Sequence, residues 1–417
     1  MLKSLHPNIR MRIYTSFLSR VVGNMIFPFM AIYFSLKLNT TLAGILLTFQ
    51  VIVQFATSLY GGYFADVIGR KKMMVFGETL KILAFIGMIA ANSPWWSSPW
   101  MMYFSLLVVS ISAGIVNPAA DAMLIDVSTK ETRVFMYSIN YWAVNFSLMI
   151  GLIVGGWLFK THLFELLISL LAVSIITFIL TKFFIIETYV PRESTNIKGK
   201  YGLSPLLESY KKVIKDWPYI AFTLGGIAIF TIEFQRNNYI AVNLEQNFPP
   251  FNVSLFNFGN FYVDGIRMLS LITVENTILV ILFAAIISKF VQSRSLYKYM
   301  YIGFVLFGLG YSLLLTSNNL LIIFSSVVIL TLGELIFVPT RQSILAEVVN
   351  DDQRGAYMAF NGFVFQFGKM FGAMGIIVGN LIGTIGMIFL YILCVIIGIG
   401  FSYITYKKRE LIYQKAQ

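Results

Sequence analysis

A succession of long apolar stretches dominates the sequence and constrains the fold more than any other feature. A helix needs about 20 mainly apolar residues to cross a bilayer, and in lipid its backbone must satisfy its own hydrogen bonds. The sequence therefore predicts an all-α membrane protein with twelve transmembrane helices. The predicted spans are 13–36, 42–64, 73–92, 100–126, 135–159, 164–186, 217–244, 262–290, 297–317, 319–341, 355–380 and 383–406.

Composition and the placement of charge agree with a membrane protein. Of the 417 residues, 58% are hydrophobic and 12% are charged, which is about half the charged fraction of a soluble domain. Most of the 31 basic residues lie in loops that one topology places in the cytoplasm, so both termini are predicted to be cytoplasmic. The net charge of +12 thus indicates topology and argues against nucleic-acid binding.

Several kinds of chemistry lack a sequence signature. Cys394 is the single cysteine, which excludes an internal disulfide and a cysteine-rich metal site. No glycine-rich nucleotide loop, nucleophile triad or metal-ligand cluster stands in the sequence. The expectation is a protein without cofactor or metal, and neither an enzyme nor a pump driven by ATP.

A short basic turn, GGYFADVIGRKK at residues 61–72, joins the second and third spans. Its pattern is Gly62-x3-Asp66-x2-Gly69-Arg70-Lys71. Gly69 suits a tight turn because it tolerates positive φ, and Gly62 is expected to let two helix backbones approach closely. Asp66 can pair with Arg70 and Lys71 as an ionic latch at the membrane surface. A basic loop alone would only fix topology, but the carboxylate and glycines at these spacings indicate a functional turn.

This turn resembles the loop between helices two and three of the major facilitator superfamily. The resemblance implies a fold of two pseudo-symmetric six-helix bundles. It also implies that Asp66 and Arg70 help to hold the cytoplasmic side of the protein closed.

A polar, charged stretch divides the apolar sequence almost in half. Residues 1–186 are predicted to form an N-terminal six-helix bundle, 187–215 a cytoplasmic linker, and 216–417 a C-terminal six-helix bundle with a short cytoplasmic tail.

The two halves repeat each other at an offset of 221 residues. The repeat pairs Pro118 with Pro339, Leu124 with Leu345, Asp126 with Glu347, Arg133 with Arg354, Asn140 with Asn361, and Gly151 with Gly372. Such a repeat is typical of a parallel two-half transporter. The acidic and arginine pairs at the helix 4–5 and helix 10–11 bends extend the predicted cytoplasmic gate, whereas the helix 8–9 bend lacks the aspartate and glycines of the first latch.

Charged residues within apolar spans are costly and normally meet a partner or a water-filled cavity. Arg20 either faces such a cavity or reaches to the inner surface. Glu78 and Lys81 are three residues apart on one helix face and are expected to pair. Glu275 is either a proton site or a partner of Arg267.

Two carboxylates of the second half are the main candidates for coupling. Glu233 lies in span seven and Glu334 in span ten. A carboxylate at mid-depth is disfavoured when ionised, so it can exchange a proton or meet a cationic substrate. The alternative for Glu334 is a buried ion pair with Lys369 or Arg236.

A narrower resemblance covers most of the chain. The sequence contains the runs GGYFADVIGRKKMMVFG, AMLIDVSTKETR, NYWAVN and TLGELIFVPTRQS. These resemble the drug:proton antiporter group of the superfamily, in particular multidrug exporters of the lactococcal type. The resemblance implies that Glu334 recognises cations and couples them to protons, and that Asp66, Arg70 and Asp126 belong to the inner gate.

Two positions depart from that group. Asn140 and Asn237 stand where its members carry aspartates. Glu233, one turn before Asn237, either compensates on the same helix face or leaves a different proton stoichiometry or cation preference. Trp142 is a candidate for loose packing against a substrate.

The resemblance implies proton-coupled export of small lipophilic, often cationic, compounds by alternating access. It further implies a monomer among membrane lipids in a bacterial plasma membrane, and broad specificity supported by aromatic and methionine side chains. An exporter of one metabolite or lipid, or an uptake symporter, would share the same sequence features.

Overall fold

The computed structural model describes residues 6–188, 211, 213–254, 260–292, 295–349 and 354–416. The chain divides into two compact units, unit 1 (Met1–Asn196) and unit 2 (Ile197–Gln417). Of the predicted linker 187–215, only 187, 188, 211 and 213–215 are among the described residues.

Unit 1 is built from helices joined by short connections. Its helices are α1 (Pro7–Asn24), α2 (Met30–Lys37), α3 (Thr40–Ile68), α4 (Arg70–Ala91), α5 (Pro99–Val127), α6 (Lys130–Leu158) and α7 (Leu163–Phe184). Polar caps explain where some of them begin: Asn39 accepts from the N–H of Leu42 at 2.7 Å, and Ser98 accepts from that of Met101 at 3.3 Å. These side chains satisfy donors that the first helical turn leaves free.

Unit 2 follows the same plan. Its helices are α8 (Trp217–Glu233), α9 (Ala241–Asn247), α10 (Gly265–Gln292), α11 (Leu296–Leu314), α12 (Leu320–Val348) and α13 (Arg354–Ala416). Two small antiparallel hairpins interrupt the helical pattern. One pairs β1 (Asn92–Ser93) with β2 (Trp96–Ser97) in unit 1, and the other pairs β3 (Phe251–Ser254) with β4 (Asn260–Val263) in unit 2.

Three breaks in the helices fall within or between predicted spans. The first span is divided between α1 and α2 by a 3-10 turn, Phe27–Phe29. Span seven is divided between α8 and α9 by a π-helical turn, Arg236–Ile240. Spans eleven and twelve form the single stretch α13, in which Gly383 adopts φ +68°. Only glycine adopts such a conformation readily.

The predicted fold class is confirmed. Among the described residues, nine helical stretches are long and apolar enough to cross a membrane, and Trp142–Leu158 is a shorter apolar helix. One of the nine, Phe360–Lys407, covers span twelve and all but the first five residues of span eleven, and α11 supplies span nine. The chain is therefore a multi-pass membrane protein with twelve transmembrane helices.

The internal repeat is visible in the helix boundaries. Helices α5 and α12 are each 29 residues long, and each contains an internal proline, Pro118 or Pro339. Gly151 lies against α1, where an added Cβ would come within 2.6 Å of the carbonyl oxygen of Val21. Gly372 lies against Phe234 just after α8, where it would come within 3.2 Å of that residue's backbone. The repeated glycines thus permit close helix packing in both units.

Candidate functional site

The turn between α3 and α4 is closed by a glycine and capped by a distant carboxylate. Gly69 adopts φ +115°, which confirms the predicted tight turn. The side chain of Glu187 accepts hydrogen bonds from the backbone N–H groups of Arg70 and Lys71, each at 3.1 Å. Because these N–H groups form the N-terminus of α4, the carboxylate also meets the favourable end of the helix dipole.

The side chain of Arg70 connects the ends of three helices. It forms an ion pair with Asp126 of α5 and donates to the carbonyl of Ala122 at 2.9 Å. Asp66 of α3 lies 3.7 Å from the same guanidinium, and Thr188 donates to Asp126 at 3.0 Å. We call Asp66, Gly69, Arg70, Lys71, Asp126, Glu187 and Thr188 the turn cluster.

The close helix approach occurs one residue earlier than the sequence analysis predicts. A Cβ on Gly62 would lie 3.8 Å from the Cβ of Pro118, which is ordinary contact. A Cβ on Gly61 would lie 3.0 Å from the Cα of Ile115, so Gly61 is the glycine that α5 requires. A shift of one residue turns a helix by about 100°, and the pair of glycines gives no sign of which one faces the neighbour.

The second acidic and arginine bend is only partly described. Glu347 is exposed near the end of α12, while the side chains of Arg133 and Arg354 lie outside the described residues. The predicted roles of these three residues in a gate therefore stay predictions.

In unit 2, a hydrogen-bonded chain links Glu334 to an arginine. Asn276 of α10 donates to the Glu334 carboxylate and to the Thr331 hydroxyl, both at 2.9 Å. The amide oxygen of Asn276 accepts from Arg236 at 2.9 Å. Because Asn276 is 6% exposed, these bonds have little competition from water.

Glu233 adds a second carboxylate to this group. It is the last residue of α8, and its charge interacts with those of Glu334 and Arg236. Its carbonyl accepts from the hydroxyl of Tyr311 at 3.4 Å. The π-helical turn follows directly and carries Arg236 as its first residue. We call Glu233, Arg236, Asn276, Thr331 and Glu334 the carboxylate network.

The charges of the carboxylate network do not cancel. With both carboxylates ionised it holds two negative charges against one positive charge, and one bound proton or one monovalent cation neutralises the difference. The two ligands would compete for the same oxygens, since a buried carboxylate is disfavoured without a neutralising partner.

The predicted ion pairs of Glu334 are not direct. Among the described residues, its carboxylate forms no ion pair with Arg236 or Lys369, and it reaches Arg236 only through Asn276. The ammonium of Lys369 lies over the ring of Phe234 at 5.9 Å. Asn237 is exposed, whereas the charge of Glu233 acts on that of Glu334. The compensation of Asn237 by Glu233 stays a prediction.

The remaining predicted residues lie in unit 1. Asn140 is half-buried on α6. Trp142 is 58% exposed and stacks on Phe146 at 4.9 Å, and Phe146 in turn stacks on Phe17 at 6.4 Å. Arg20 lines a cavity within the unit, and its role in proton coupling or substrate binding stays a prediction.

Two further pairs from the sequence analysis have different outcomes. Glu78 and Lys81 form the predicted ion pair, at 2.5 Å. Arg267 instead donates to the carbonyl of Tyr262 at 2.6 Å, and Oε2 of Glu275 is buried without a hydrogen-bond partner among the described residues. In the part of the chain that the structure describes, no group of three His, Cys, Asp or Glu side chains is placed to hold a metal ion.

Sequence reasoning missed Asn276, Thr331, Glu187 and Thr188. Asn276 and Thr331 carry no charge, so neither stands out in an apolar span. Glu187 lies among many charged residues after span six, and its partners are 116 and 117 positions away. The polar Asn276 within an apolar stretch was the one available signal, because amides in membrane helices commonly hydrogen-bond across helices.

Comparison with known proteins connects these sites to a family. Residues 13–373 match the Major Facilitator Superfamily. The Na(+), Li(+), K(+)/H(+) antiporter of Planococcus maritimus is 26% identical over 383 residues, which cover 90% of this chain and 90% of that protein. The multidrug resistance protein MdtH of Baumannia cicadellinicola subsp. Homalodisca coagulata is 23% identical over 356 residues, covering 84% of this chain and 79% of that protein.

A solved structure supports the fold. The crystal structure of a POT family transporter in complex with 5-aminolevulinic acid superposes with a TM-score of 0.75 and 16% identity, covering 97% of this chain and 99% of that one. At this identity the likeness concerns the fold alone.

Proposed function

This chain belongs to the major facilitator superfamily and is a secondary transporter rather than an enzyme, and we propose that it exports lipophilic cations in exchange for protons by alternating access. We place it in the drug:proton antiporter group, near exporters of the lactococcal type. The relatives named as multidrug resistance proteins support this choice.

The carboxylate network is the observation that carries the proposal. Antiport requires that proton and substrate exclude each other, and a site with one surplus negative charge accepts either but not both. Glu334 is the shared binding group, and Asn276 positions it through a bond to Oε2 at 2.9 Å. Glu233 supplies the second carboxylate, and Arg236 limits the surplus to one charge.

The turn cluster has a different role in this proposal. The ion pair of Arg70 with Asp126 joins the ends of α4 and α5, and the cluster holds one conformation of the transport cycle until substrate binding shifts the equilibrium. We also propose that both termini are cytoplasmic, because the basic residues concentrate in the corresponding loops, and that the membrane is bacterial, as it is for the relatives named above.

The first experiment measures ethidium transport in everted vesicles that contain the full chain. A proton gradient, acid inside, should drive ethidium uptake, and a protonophore should abolish it. Glu334→Gln should reduce uptake at least tenfold, whereas Glu165→Gln, an exposed carboxylate in the first turn of α7, should leave it unchanged. Normal, protonophore-sensitive uptake by Glu334→Gln would refute the role of Glu334.

Exchange of alkali-metal cations for protons is a second candidate, favoured by the relative from Planococcus maritimus. The same vesicles separate the two functions. Collapse of the proton gradient on addition of NaCl, LiCl or KCl, without any ethidium uptake, would replace the drug proposal with this one. Export of a single metabolite or lipid would show neither response.

A further inference from the structure

A cavity of about 200 Å³ lies within unit 1, among α1, α4, α5 and α7. Helix α1 lines it with Arg12, Ser16, Ser19 and Arg20. These share one helix face because Arg12, Ser16 and Arg20 follow each other at intervals of four residues and Ser19 is three residues after Ser16. The cavity is therefore a feature of one bundle and includes no residue of the carboxylate network.

The charged side chains around this cavity differ in whether they have an ion-pair or hydrogen-bond partner. Glu78 forms an ion pair with Lys81 at 2.5 Å and accepts a hydrogen bond from Thr177 at 2.9 Å. The guanidinium groups of Arg12 and Arg20 have no ion-pair or hydrogen-bond partner among the residues that the structure describes. Two arginines are thus left without a direct counterion in a membrane helix, where unpaired charge is costly.

Counting the nearby charges gives a positive surplus. Arg12, Arg20 and Lys81 line the cavity together with Glu78, and Asp121 acts on both arginines from outside the lining. Three positive charges therefore face two negative charges. One monoanion would neutralise the surplus, and the planar arginine group suits a carboxylate because it can donate two parallel hydrogen bonds.

The rest of the wall indicates what kind of anion fits. Ser174 lines the cavity, is 1% exposed, and its hydroxyl has no hydrogen-bond partner among the described residues. Most other lining side chains are apolar: Phe27, Phe85, Val109, Val116, Leu170 and Val173. A cavity of about 150 Å³ already accepts benzene, so this one has room for an aromatic ring with a small polar group.

We propose that this cavity binds a small organic monoanion, with its carboxylate at Arg12 and Arg20 and its aromatic or aliphatic body against the apolar wall. This site shares no residue with the carboxylate network of unit 2, and anion binding here is not part of the cation transport proposed above. An inorganic anion would leave the apolar wall in contact with water, and an organic cation would be repelled by the surplus charge.

Sodium benzoate is a suitable probe for the purified full chain in lipid nanodiscs, with empty nanodiscs as the reference for partition into lipid. Titration calorimetry should detect saturable binding to the wild type. Arg12→Gln and Arg20→Gln should each raise the Kd at least tenfold. Lys182→Gln removes an exposed cation of α7 and should bind benzoate as the wild type does.

Two competitors and one further variant make the test decisive. Benzyl alcohol, which lacks the charge, and phosphate, which lacks the apolar body, should not displace benzoate at equal concentration. Ala113→Glu should place a carboxylate in the cavity that Ala113 lines, so it should remove benzoate binding without lowering the Tm. Absence of saturable binding, wild-type Kd values in both arginine variants or in Ala113→Glu, or displacement by either competitor would overturn the proposal.

Discussion

Helices α5 and α12 have the same length and an internal proline at the same position, at an offset of 221 residues. At other matching positions their side chains differ. Ser110 of α5 corresponds to Thr331 of α12, and both hydroxyls accept a hydrogen bond from an amide of a neighbouring helix, at 3.0 and 2.9 Å. One turn later Ala113 corresponds to Glu334.

The difference between the units lies in the sign of the charge. At the equivalent of Glu334, unit 1 has an alanine that lines a cavity with two unpaired arginines, while unit 2 has a carboxylate in a network that carries one surplus negative charge when Glu233 and Glu334 are both ionised. The repeat thus preserves the helices and an amide–hydroxyl bond between them, and the charged groups have diverged. Four predictions test this comparison, from the largest expected effect to the smallest.

Removing the bridging amide of Asn276 in unit 2 should reduce transport, whereas removing the amide of Gln50 in unit 1 should not. Asn276→Ala takes away the hydrogen bonds of Asn276 to the charged groups of Arg236 and Glu334, each worth about 1.5–3 kcal/mol. We expect ethidium uptake by everted vesicles to fall at least tenfold. Gln50→Ala breaks the neutral Gln50–Ser110 bond in unit 1 and should leave uptake within about twofold, because that bond contributes only about 1 kcal/mol. Equal losses in both variants would contradict a special role for the unit 2 bridge.

Removing the charge of Arg70 in the turn cluster should destabilise unit 1. Arg70→Gln leaves Asp126 without its ion pair and Ala122 without its hydrogen bond, at a cost of about 2 kcal/mol. The Tm of the purified protein should fall. Lys72→Gln makes the same change in charge at an exposed position of the same turn and should leave the Tm unchanged; a matching decrease would show that net charge alone matters.

The two glycines with positive φ should differ in their sensitivity to alanine. Both substitutions strain the backbone by about 1–3 kcal/mol. At Gly383 an added Cβ would meet nothing within 4 Å, whereas at Gly69 it would lie 2.8 Å from the carboxylate of Glu187. Gly69→Ala should therefore lower the Tm more than Gly383→Ala does, and the reverse order would argue against the capping role of Glu187.

The smallest expected effect concerns the charge at the N-terminus of α4. Glu187→Gln keeps a hydrogen-bond acceptor but removes the charge, which is worth about 0.5 kcal/mol at a helix terminus. Glu187→Ala removes both and should lower the Tm further. The deficit of the glutamine variant should shrink in high salt, because salt screens exposed charges; a salt-independent deficit would assign the effect to hydrogen bonding.

Sequence periodicity and local spacing predicted much of this molecule. The twelve spans follow from hydrophobic length, and the Glu78–Lys81 and Asp66–Arg70 contacts follow from spacings of three and four residues on a helix. The conformation of Gly69 follows from the need for positive φ in a turn. In each case the residues involved are close in sequence, so the geometry of a single segment is sufficient to predict the feature.

Contacts between distant helices were less predictable. Asn276 meets partners 40, 55 and 58 positions away, and nothing in the local pattern identifies them. That Gly61 rather than Gly62 contacts α5 depends on the rotation of α3 about its own axis. Apolar periodicity does not fix this rotation when a span is apolar on every face. The turn of π-helix at Arg236 likewise depends on packing in unit 2 and has no local sequence signature.

The break at Gly383 has a consequence for how the chain enters the membrane. The sequence between Lys369 and Lys407 contains no Asp, Glu, Lys or Arg, and Gly383 lies within this uncharged stretch. In the topology proposed above, with both termini cytoplasmic, the short connection at Gly383 is translocated without carrying any charge across the bilayer, so its insertion faces only a small barrier. In the same topology the basic residues beyond Tyr406 stay on the cytoplasmic side, and by the positive-inside rule they fix the orientation of the last two spans.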